Sequence, residues 1–288
     1  MSKATAAAIR PRRSFIFAPG IRPDMFPKAL KSGADMVCVD LEDAIAPQHK
    51  DEARQKTLAM FAEYDGDGAV EAIVRLNCLR TPDGMTDLRA VLESAKPPPA
   101  LMLPKIKSPD EVRLIDEMLG EHDQDCRLHV IIETNDGLQA AYEIARASDR
   151  IQALFFGGVD MAADLRCQNS WQALLFARAR IVHAAAGANV DVIDVPYLDL
   201  DDLDGMRREA EQCAEMGFSG KGAIHPKQIP TLNQVFTPDE ATVAYARKIV
   251  DAFAAADTGL VVVDGKLIEK PVLRTMNRIL ATADRGTA

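Results

Sequence analysis

The sequence predicts an α/β fold: a closed (β/α)8 barrel, or TIM barrel, followed by a C-terminal helical extension. The main observation is that short apolar segments alternate with helical patterns eight times between residues 14 and 225. Such alternation is typical of parallel strands joined by helical crossovers. Eight units within roughly 215 residues fit a closed barrel better than an open doubly wound sheet. No GxGxxG or GxxxxGK(S/T) motif follows the first segment, which also weighs against a nucleotide-binding sheet.

Each predicted strand is a short run rich in apolar residues and bounded by turn or polar residues. Runs of this kind are typical of strands that are buried on both faces. The eight predicted strands are residues 14–18, 35–41, 71–77, 100–105, 128–134, 151–160, 189–194 and 221–225.

Several of the intervening helices have recognisable ends. Asp24 is a predicted N-cap, Ser108 stands before Pro109 in the order favoured at a helix start, and Gly217 ends a helix. The predicted helices are residues 24–31, 49–63, 83–95, one that begins at 108, 136–147, 171–186 and 202–216.

The rhythm of strand and helix stops after residue 226. A helix is predicted over 237–256, an edge strand or apolar hinge over 260–264, and a last helix over 271–283. The sequence therefore predicts three parts. Residues 1–11 form a flexible tail, residues 12–228 form the barrel, and residues 229–288 form an extension or lid that packs on the barrel, on an adjacent subunit, or on both.

Composition excludes several classes of function. The 288 residues carry a net charge of -9, which disfavours binding to nucleic acid or to an anionic membrane. The five cysteines are widely spaced and form no CxxC pair, which is typical of free thiols in a reducing compartment. No apolar run approaches the roughly 20 residues that span a bilayer, and residues 1–11 lack the apolar core of a secretory signal. These features predict a cytoplasmic protein.

Two of the predicted buried strands end on acids, Glu133 and Asp160. A carboxylate in such a place is costly without a partner. Two of them at one rim suggest a shared cation, and oxygen ligands favour Mg²⁺. Arg75, at the exit of the third strand, adds a group that pairs with a carboxylate or polarises a carbonyl. The alternative interpretation is a buried ion pair between Arg75 and an acid.

Further polar residues stand at predicted strand ends, where active sites of this fold lie. For four of them the residues alone favour structural roles: Asp43 as a helix cap, Asp194 as a turn cap, Lys105 as a partner for a nearby carboxylate, and His225 as a hydrogen-bonded histidine. The remaining residues of this set are Asp40, Glu42 and Asn77.

Seven short motifs, which follow one another along the chain, resemble the HpcH/HpaI aldolase and citrate lyase beta-subunit family. Within that family they are most similar to citrate lyase beta subunits and malyl-CoA lyases. They extend over nearly the whole chain and fall at the predicted strand ends. The motifs are Arg12-Arg-Ser-Phe-Ile-Phe-Ala-Pro-Gly20, Asp40-Leu-Glu-Asp-Ala44, Val74-Arg-Leu-Asn77, Leu103-Pro-Lys105, Ile132-Glu-Thr134, Gly157-Gly-Val-Asp160 and Ala223-Ile-His-Pro-Lys-Gln228.

The resemblance implies a Mg²⁺-dependent carbon–carbon lyase. It would cleave a 3-hydroxyacyl-CoA thioester reversibly to acetyl-CoA, or a homologue, and a 2-oxo acid. It implies that Glu133 and Asp160 bind the metal, which would acidify the substrate hydroxyl, and that Arg75 holds the 2-oxo acid portion. Glu42 and Asp43 join Arg75 among the catalytic candidates.

The resemblance also implies contacts with coenzyme A and with neighbouring subunits. Phe17, Arg22 and Lys28 match positions that contact coenzyme A, and Lys105 joins them as a substrate-binding candidate. Arg22 and Lys28 have an equal alternative interpretation as solvated surface cations. The family assembles as trimers or hexamers, so a homo-oligomer is expected.

Two positions depart from the family pattern. In the acyl-CoA lyases, a C-terminal segment supplies an aspartate to the site of an adjacent subunit, for proton transfer to or from the enolate carbon. Glu269 stands at that position here, one methylene longer. Val159 stands where the family commonly has a glutamate before the metal-binding aspartate. Both departures concern the identity of the substrate more than the class of reaction.

Other functions remain open from the sequence. One is an HpaI-type aldolase of free 2-oxo acids, for which the nearest candidate base, His49, lies beyond the second strand in a helical stretch. Another is a malyl-CoA thioesterase. A third is a citrate lyase beta subunit that works with an acyl-carrier protein and a transferase subunit. A purely structural role is the remaining alternative.

Overall fold

The computed structural model of the chain describes residues 10–66, 68–256 and 259–286. Residues 1–9 of the predicted tail lie outside the described residues. The chain divides into two compact units, one of them Arg12–Asn233 and the other containing the residues from Gln234 onward. The sequence places the end of the barrel at residue 228, five residues before this boundary.

The first unit is a closed barrel of eight parallel strands in sequence order, and the first strand pairs with the eighth. The predicted α/β fold, a (β/α)8 TIM barrel with C-terminal helices, is thereby confirmed. The strands are β1 (Ser14–Pro19), β2 (Met36–Asp40), β3 (Glu71–Arg75), β4 (Ala100–Leu103), β5 (Arg127–Ile132), β6 (Ile151–Phe156), β7 (Asp191–Asp194) and β8 (Gly220–Ala223).

Helices follow the strands and surround the barrel. They are α1 (Phe26–Leu30), α2 (Lys50–Glu63), α3 (Pro82–Leu92), α4 (Pro109–Glu121), α5 (Asn135–Gln139), α6 (Ala141–Ala145), α7 (Gly158–Leu165), α8 (Trp171–Ala188), α9 (Leu203–Met216) and α10 (Ile229–Val235). Short 3-10 turns occupy Pro23–Met25, Pro47–His49 and Pro226–Gln228.

Side-chain caps fix the starts of several helices. Thr81, Ser170 and Asp202 each accept a hydrogen bond from a backbone N–H in the first turn of α3, α8 and α9, as capping residues do. The predicted N-cap role of Asp24 is wrong. Asp24 lies inside the first 3-10 turn, and its carboxylate accepts two hydrogen bonds from Arg22.

The region after β5 and β6 differs from the sequence prediction. The predicted helix 136–147 is split into α5 and α6 at Ala140. The predicted strand 151–160 ends at Phe156, and Gly157 leads directly into α7. Asp160 therefore lies in the first turn of a helix and not at the end of a strand. The sequence did not predict this transition from strand to helix, because a short apolar run is compatible with either a strand or the start of a buried helix.

The barrel interior is filled by side chains at alternate strand positions. Members of this cluster include Phe15 of β1, Cys38 of β2, Ile73 of β3, Met102 of β4 and Phe155 of β6. Inward-pointing residues of a strand recur every second position. The same alternation carries Asp40, Arg75 and Glu133 to the carboxyl end of the interior, where the candidate site lies.

The second unit contains two helices and a β-hairpin. Its elements are α11 (Glu240–Ala254), β9 (Leu260–Val263), β10 (Lys266–Glu269) and α12 (Lys270–Gly286), with β9 and β10 antiparallel. Ile249, Val263 and Ile268 form its buried core. Residues 260–263 are thus a strand and not a hinge, and the sequence missed the second strand of the hairpin. Within the ranges described, no helix is both long and apolar enough to cross a membrane.

Candidate active site

Asp40 and Arg75 form a buried ion pair at the carboxyl ends of β2 and β3. The register of the two strands makes these residues direct neighbours. Arg75 Nε and Nη2 each donate to one Asp40 oxygen at 2.7 Å, in the bidentate geometry that suits arginine and carboxylate. Burial raises the pKa of Asp40, but the hydrogen bonds and charge of Arg75 outweigh it and leave that pKa below its usual value. The alternative of a buried ion pair at Arg75 is therefore realised, with Asp40 as the acid.

The other end of the Arg75 guanidinium faces the mouth of the barrel. Nη1 lies 3.1 Å from Glu42 Oε2 and 3.5 Å from Asp43 Oδ2. The guanidinium also stands over the Phe17 ring, 4.7 Å from its centroid. Such stacking holds an arginine in one orientation. One edge of Arg75 is thus fixed by Asp40, and the other lies beside Glu42 and Asp43 without a hydrogen bond to Glu42 Oε2.

Glu42 is buried among charges but is incompletely bonded. Its Oε1 accepts a hydrogen bond from Lys105 Nζ at 2.6 Å. Its Oε2, although close to Arg75, receives no hydrogen bond. Burial raises the pKa of Glu42, against the opposing effects of Arg75 and Lys105.

Lys105 connects the acids on the rim. It follows β4 in a left-handed conformation with φ of 55°. Besides Glu42, its Nζ lies 3.6 Å from Asp43 and 4.0 Å from Asp160, and its backbone N–H donates to Glu133 Oε1 at 2.8 Å. Burial lowers the pKa of Lys105, but the hydrogen bond and charge of Glu42 outweigh burial. The pKa of Lys105 is therefore above its usual value, and the ammonium is held charged. The pairing that the sequence suggested for Lys105 is present. The capping role suggested for Asp43 is wrong, because the N-cap residues of the following turn and helix are Ala46 and His49.

Glu133 directly follows β5 and is 3% exposed. Burial, followed by the charges of Glu42 and Asp160, raises its pKa to about 8. Gly157, which follows the neighbouring strand β6, lies against it, and any side chain there would meet the Glu133 carboxylate. The loop after β6 therefore approaches Glu133 closely only because residue 157 is glycine.

Asp160 projects from the first turn of α7, and its side chain is 44% exposed. The prediction that it is buried like Glu133 is wrong, because it begins a helix at the rim and does not end an interior strand. Asp160 and Glu133 nevertheless line the same cavity.

That cavity has a volume of about 270 Å³ and opens at the carboxyl end of the barrel. Its charged lining residues are Asp43, Arg75, Glu133, Asp160 and Asp194. The remaining walls are mostly apolar. Sequence reasoning singled out only Val159 among the residues of these walls, and as a departure from the family pattern. The wall residues are Phe15, Met102, Ile131, Phe155, Phe156, Val159, Val195 and Pro196. The period-two alternation of the strands was the signal that would have identified the first four.

The acid pair is suited to a cation of the Mg²⁺ type. In the part of the chain that the structure describes, no group of three or more histidine, cysteine, aspartate or glutamate residues forms a metal cluster. Mg²⁺ does not require such a cluster, because it is commonly held by one or two carboxylates together with water and substrate oxygens. A buried carboxylate whose pKa is raised by neighbouring acids is a group that a cation would stabilise. Glu133 with Asp160 therefore fits the metal.

Other residues predicted from strand ends have structural partners. Asp194 accepts from Arg178, Lys221 and the Cys213 thiol. Asn77 bonds Lys50 and Asp87. His225 caps the third 3-10 turn by accepting from the Lys227 N–H. The turn cap suggested for Asp194 is wrong, and the structural interpretation of His225 agrees with its contacts.

The predicted coenzyme A residues are not all in the cavity. Phe17 lines it. Arg22 is exposed and bound to Asp24 at 2.8 Å, and Lys28 is exposed on α1. Glu269 is exposed at the end of β10 in the C-terminal unit.

Comparison with known proteins agrees with this geometry. The family model described as HpcH/HpaI aldolase/citrate lyase matches residues 13–226. The chain belongs to this family. The match covers every strand of the barrel and the residues of the cavity rim, so the suspected resemblance is confirmed.

Relatives within the family carry two different lyase names. Citrate lyase subunit beta of Escherichia coli K12 is 32% identical over 96% of this chain and 94% of its own length. L-malyl-CoA/beta-methylmalyl-CoA lyase of Cereibacter sphaeroides is 33% identical over 97% of this chain and 96% of its own. The crystal structure of protein CitE from Mycobacterium tuberculosis, in complex with magnesium, acetoacetate and coenzyme A, is 28% identical with a TM-score of 0.79, covering 96% of this chain and all of that one.

Proposed function

We propose that this protein is a Mg²⁺-dependent carbon–carbon lyase that cleaves a 3-hydroxyacyl-CoA thioester of the malyl-CoA, citramalyl-CoA or citryl-CoA type. The products are acetyl-CoA, or a homologue, and a 2-oxo acid, and the reaction is reversible. The observation that carries the proposal is the buried carboxylate of Glu133, which lies on a cavity rim with Asp160 and Arg75 and has a pKa raised by burial and acids. The lyase names of the relatives support the class of reaction.

Glu133 and Asp160 are the proposed Mg²⁺ ligands. The bound ion supplies a Lewis acid for substrate oxygens. The magnesium in the complex of the Mycobacterium tuberculosis relative supports this assignment. Lys105 orients Glu133 through its backbone N–H and balances the charge of Glu42 and Asp43 through its ammonium.

Arg75 is proposed to bind the carboxylate of the 2-oxo acid portion. Asp40 occupies Nε and Nη2, so Nη1 is the donor that faces the cavity. A guanidinium fixed in this way needs little reorganisation to stabilise charge that develops on oxygen. Glu42 Oε2, which is buried and accepts no hydrogen bond, is a site where a proton can be held during turnover, with Asp43 beside it at the entrance.

The thioester and the remaining assignments follow the family. Phe17, Arg22 and Lys28 are proposed to contact coenzyme A, a ligand of the Mycobacterium tuberculosis relative. Glu269 is proposed to transfer a proton in the site of an adjacent subunit of a trimer or hexamer, which its exposure at the end of β10 permits. A cytoplasmic location is supported by the five free cysteines.

One observation disfavours the aldolase alternative. His49 is 52% exposed, lies 3.4 Å from Glu52 and is not among the described residues that line the cavity. A general base must reach the proton that it removes. The thioesterase and the carrier-protein-dependent subunit use the same cavity, so the products distinguish them from the proposed lyase.

The proposal is tested by mixing the purified protein with Mg²⁺ and each of the three thioesters, and by measuring 2-oxo acid and acetyl-CoA separately. We expect equimolar release of both products. Release of free coenzyme A without a 2-oxo acid would instead identify a thioesterase. Activity only with an acyl-carrier-protein thioester would identify a subunit of a citrate lyase complex.

The matched variant is Glu133→Gln, with Glu121→Gln on the exposed surface of α4 as the control. We expect Glu133→Gln to weaken Mg²⁺ binding, measured by calorimetry, by at least about tenfold. Changing a residue that only hydrogen-bonds a metal ligand already costs about this much, and Glu133 is a proposed ligand itself. The control should bind Mg²⁺ as the parent does. Equal affinity in all three proteins, with unchanged thermal unfolding, would exclude the assigned metal site.

A further inference from the structure

We infer that the 2-oxo acid released by this protein has a single carboxylate and a small alkyl substituent, and that Val159 contributes to this selectivity. The inference rests on the proposed function and specifies its substrate. It follows from two features of the cavity. The cations in and around it already have partners, and its walls are mostly apolar.

The described side chains that line the cavity provide one cation for a substrate carboxylate. Arg75 is the one cation among the described residues that line it. Two of the three guanidinium nitrogens are held by Asp40, so only Nη1 faces a ligand. A second carboxylate on the substrate would require another cation, since burying an unpaired charge is costly.

Two other cations that contact Glu42, Lys105 and Lys50, already have partners. Lys105 Nζ lies against Glu42 and Asp43. Lys50 Nζ donates to the carbonyl oxygens of Leu41 and Glu42 and to Asn77 Oδ1, which uses all three of its donors. The charge of the proposed Mg²⁺ ion is balanced by its two ligands, Glu133 and Asp160. A second substrate carboxylate would therefore meet the remaining acids of the rim without a counterion.

The apolar walls of the cavity favour an alkyl group. Phe15, Met102, Ile131 and Phe155 line the cavity and belong to the buried apolar cluster of the barrel. Phe15 packs edge-on against Phe17 and Phe155, at centroid distances of 4.6 and 5.1 Å. A methyl group placed on such a surface gains about fourfold in binding over hydrogen, whereas a carboxymethyl group finds no donor there.

Val159 is an apolar lining residue that directly precedes Asp160. It lies in the first turn of α7 beside Asp160, lines the cavity and is 50% exposed. An exposed valine at this point adds apolar surface without adding a donor. A lysine at the same position would provide the missing counterion, and the exposure of the site leaves room for it.

The test compares three thioesters that release acetyl-CoA and differ only in the substituent of the 2-oxo acid: hydrogen (malyl-CoA), methyl (citramalyl-CoA) and carboxymethyl (citryl-CoA). We expect the highest kcat/KM for the methyl compound, by at least about fourfold over hydrogen and by at least about fiftyfold over carboxymethyl, because that group leaves a charge unpaired. In the reverse direction, pyruvate and 2-oxobutanoate should condense with acetyl-CoA faster than oxaloacetate.

The role of Val159 is tested with Val159→Lys and Val159→Gln. We expect the lysine variant to raise the citryl-CoA to citramalyl-CoA ratio of kcat/KM by about tenfold, the size of one added charge-assisted contact. Glutamine, which is polar but uncharged, should leave that ratio unchanged. Met85→Lys, at an exposed position of α3 outside the cavity lining, is the matched control and should also leave it unchanged.

The outcomes separate this inference from the proposed function. Cleavage that is fastest with citryl-CoA or malyl-CoA would overturn the inference and leave the lyase function in place. No cleavage of any thioester by the folded protein would overturn the proposed function itself. An unchanged ratio in an active Val159→Lys protein, or an equal gain in Val159→Gln, would overturn the role assigned to Val159.

Discussion

Arg75 shows how one side chain serves the fold and the site at once. Its Nε and Nη2 complete a buried pair with Asp40 across two neighbouring strands, and its Nη1 faces the cavity. The Phe17 ring below fixes the plane of the guanidinium. The pairing satisfies a buried charge and also restricts Arg75 to one orientation toward a substrate.

Replacing Arg75 with lysine keeps the positive charge but removes the planar fork. We expect kcat/KM for thioester cleavage to fall by at least about a hundredfold, the typical effect of losing one fixed donor to a developing charge. Arg113→Lys, an exposed position on α4 paired with Asp110, controls for the substitution itself. Near-normal turnover by Arg75→Lys would mean that Arg75 is structural.

Sequence reasoning identified most polar residues of the rim, because parallel strands bring their carboxyl ends to one side. It could not assign their partners. The Asp40–Arg75 pair depends on the register between β2 and β3, which the sequence does not state. Asp160 was misplaced on a strand for a related reason, since Gly157 permits a turn that apolar periodicity does not reveal.

At the scale of elements, a second buried charge cluster joins β7 and β8 to the surrounding helices. Strand register places Asp194 beside Lys221. The fully buried Lys221 ammonium contacts Asp194 at 2.5 Å, the Val195 carbonyl at 2.7 Å and Glu209 of α9 at 2.7 Å. Arg178 of α8 binds the other Asp194 oxygen. Burial raises the pKa of Asp194, but attraction to Lys221 and Arg178 outweighs it and keeps the carboxylate ionised.

Lys221→Met tests whether this cluster holds the last two strands to their helices. We expect a loss of about 3 kcal/mol in the free energy of unfolding, because removal of one partner leaves Asp194 and Glu209 short of a buried counterion. Lys227→Met, an exposed position facing Asp201 at 3.7 Å, should change it by less than about 0.5 kcal/mol. Urea denaturation of both variants measures the difference, and equal small effects would contradict a stabilising role for the cluster.

The whole barrel is organised in layers along its axis. Apolar side chains fill the middle, the candidate site occupies the carboxyl end, and a charge cluster closes the amino end. That cluster comprises Arg12 before β1, Glu71 of β3, His129 of β5 and Asp191 of β7, so one residue comes from each odd-numbered strand or its start. Layers built from alternate strands are characteristic of this fold.

The eightfold alternation made the barrel predictable from sequence, since each unit repeats the same pattern. The layer of charges at the amino end was not predicted. In the sequence, Glu71 and His129 are isolated polar residues within apolar strands. They are 58 positions apart, and only closure of the barrel brings them into contact.

Glu71 makes the stability of the whole barrel dependent on pH. Burial raises its pKa, but the attraction and hydrogen bond of His129 and the hydrogen bonds of Arg12 outweigh burial and hold that pKa far below its usual value. A carboxylate whose pKa is lowered on folding stabilises the native state above its unfolded pKa of about 4.3. That contribution is lost as the pH falls below this value.

We therefore expect Glu71→Gln to lower the free energy of unfolding on the order of 3 kcal/mol at neutral pH, and the gap from the parent protein to shrink as the pH falls from about 5 toward 2. Urea midpoints measured across this range give the comparison. Glu63→Gln, at an exposed position of α2, should follow the parent throughout. A gap that stays constant with pH would show that the Glu71 charge does not stabilise the fold.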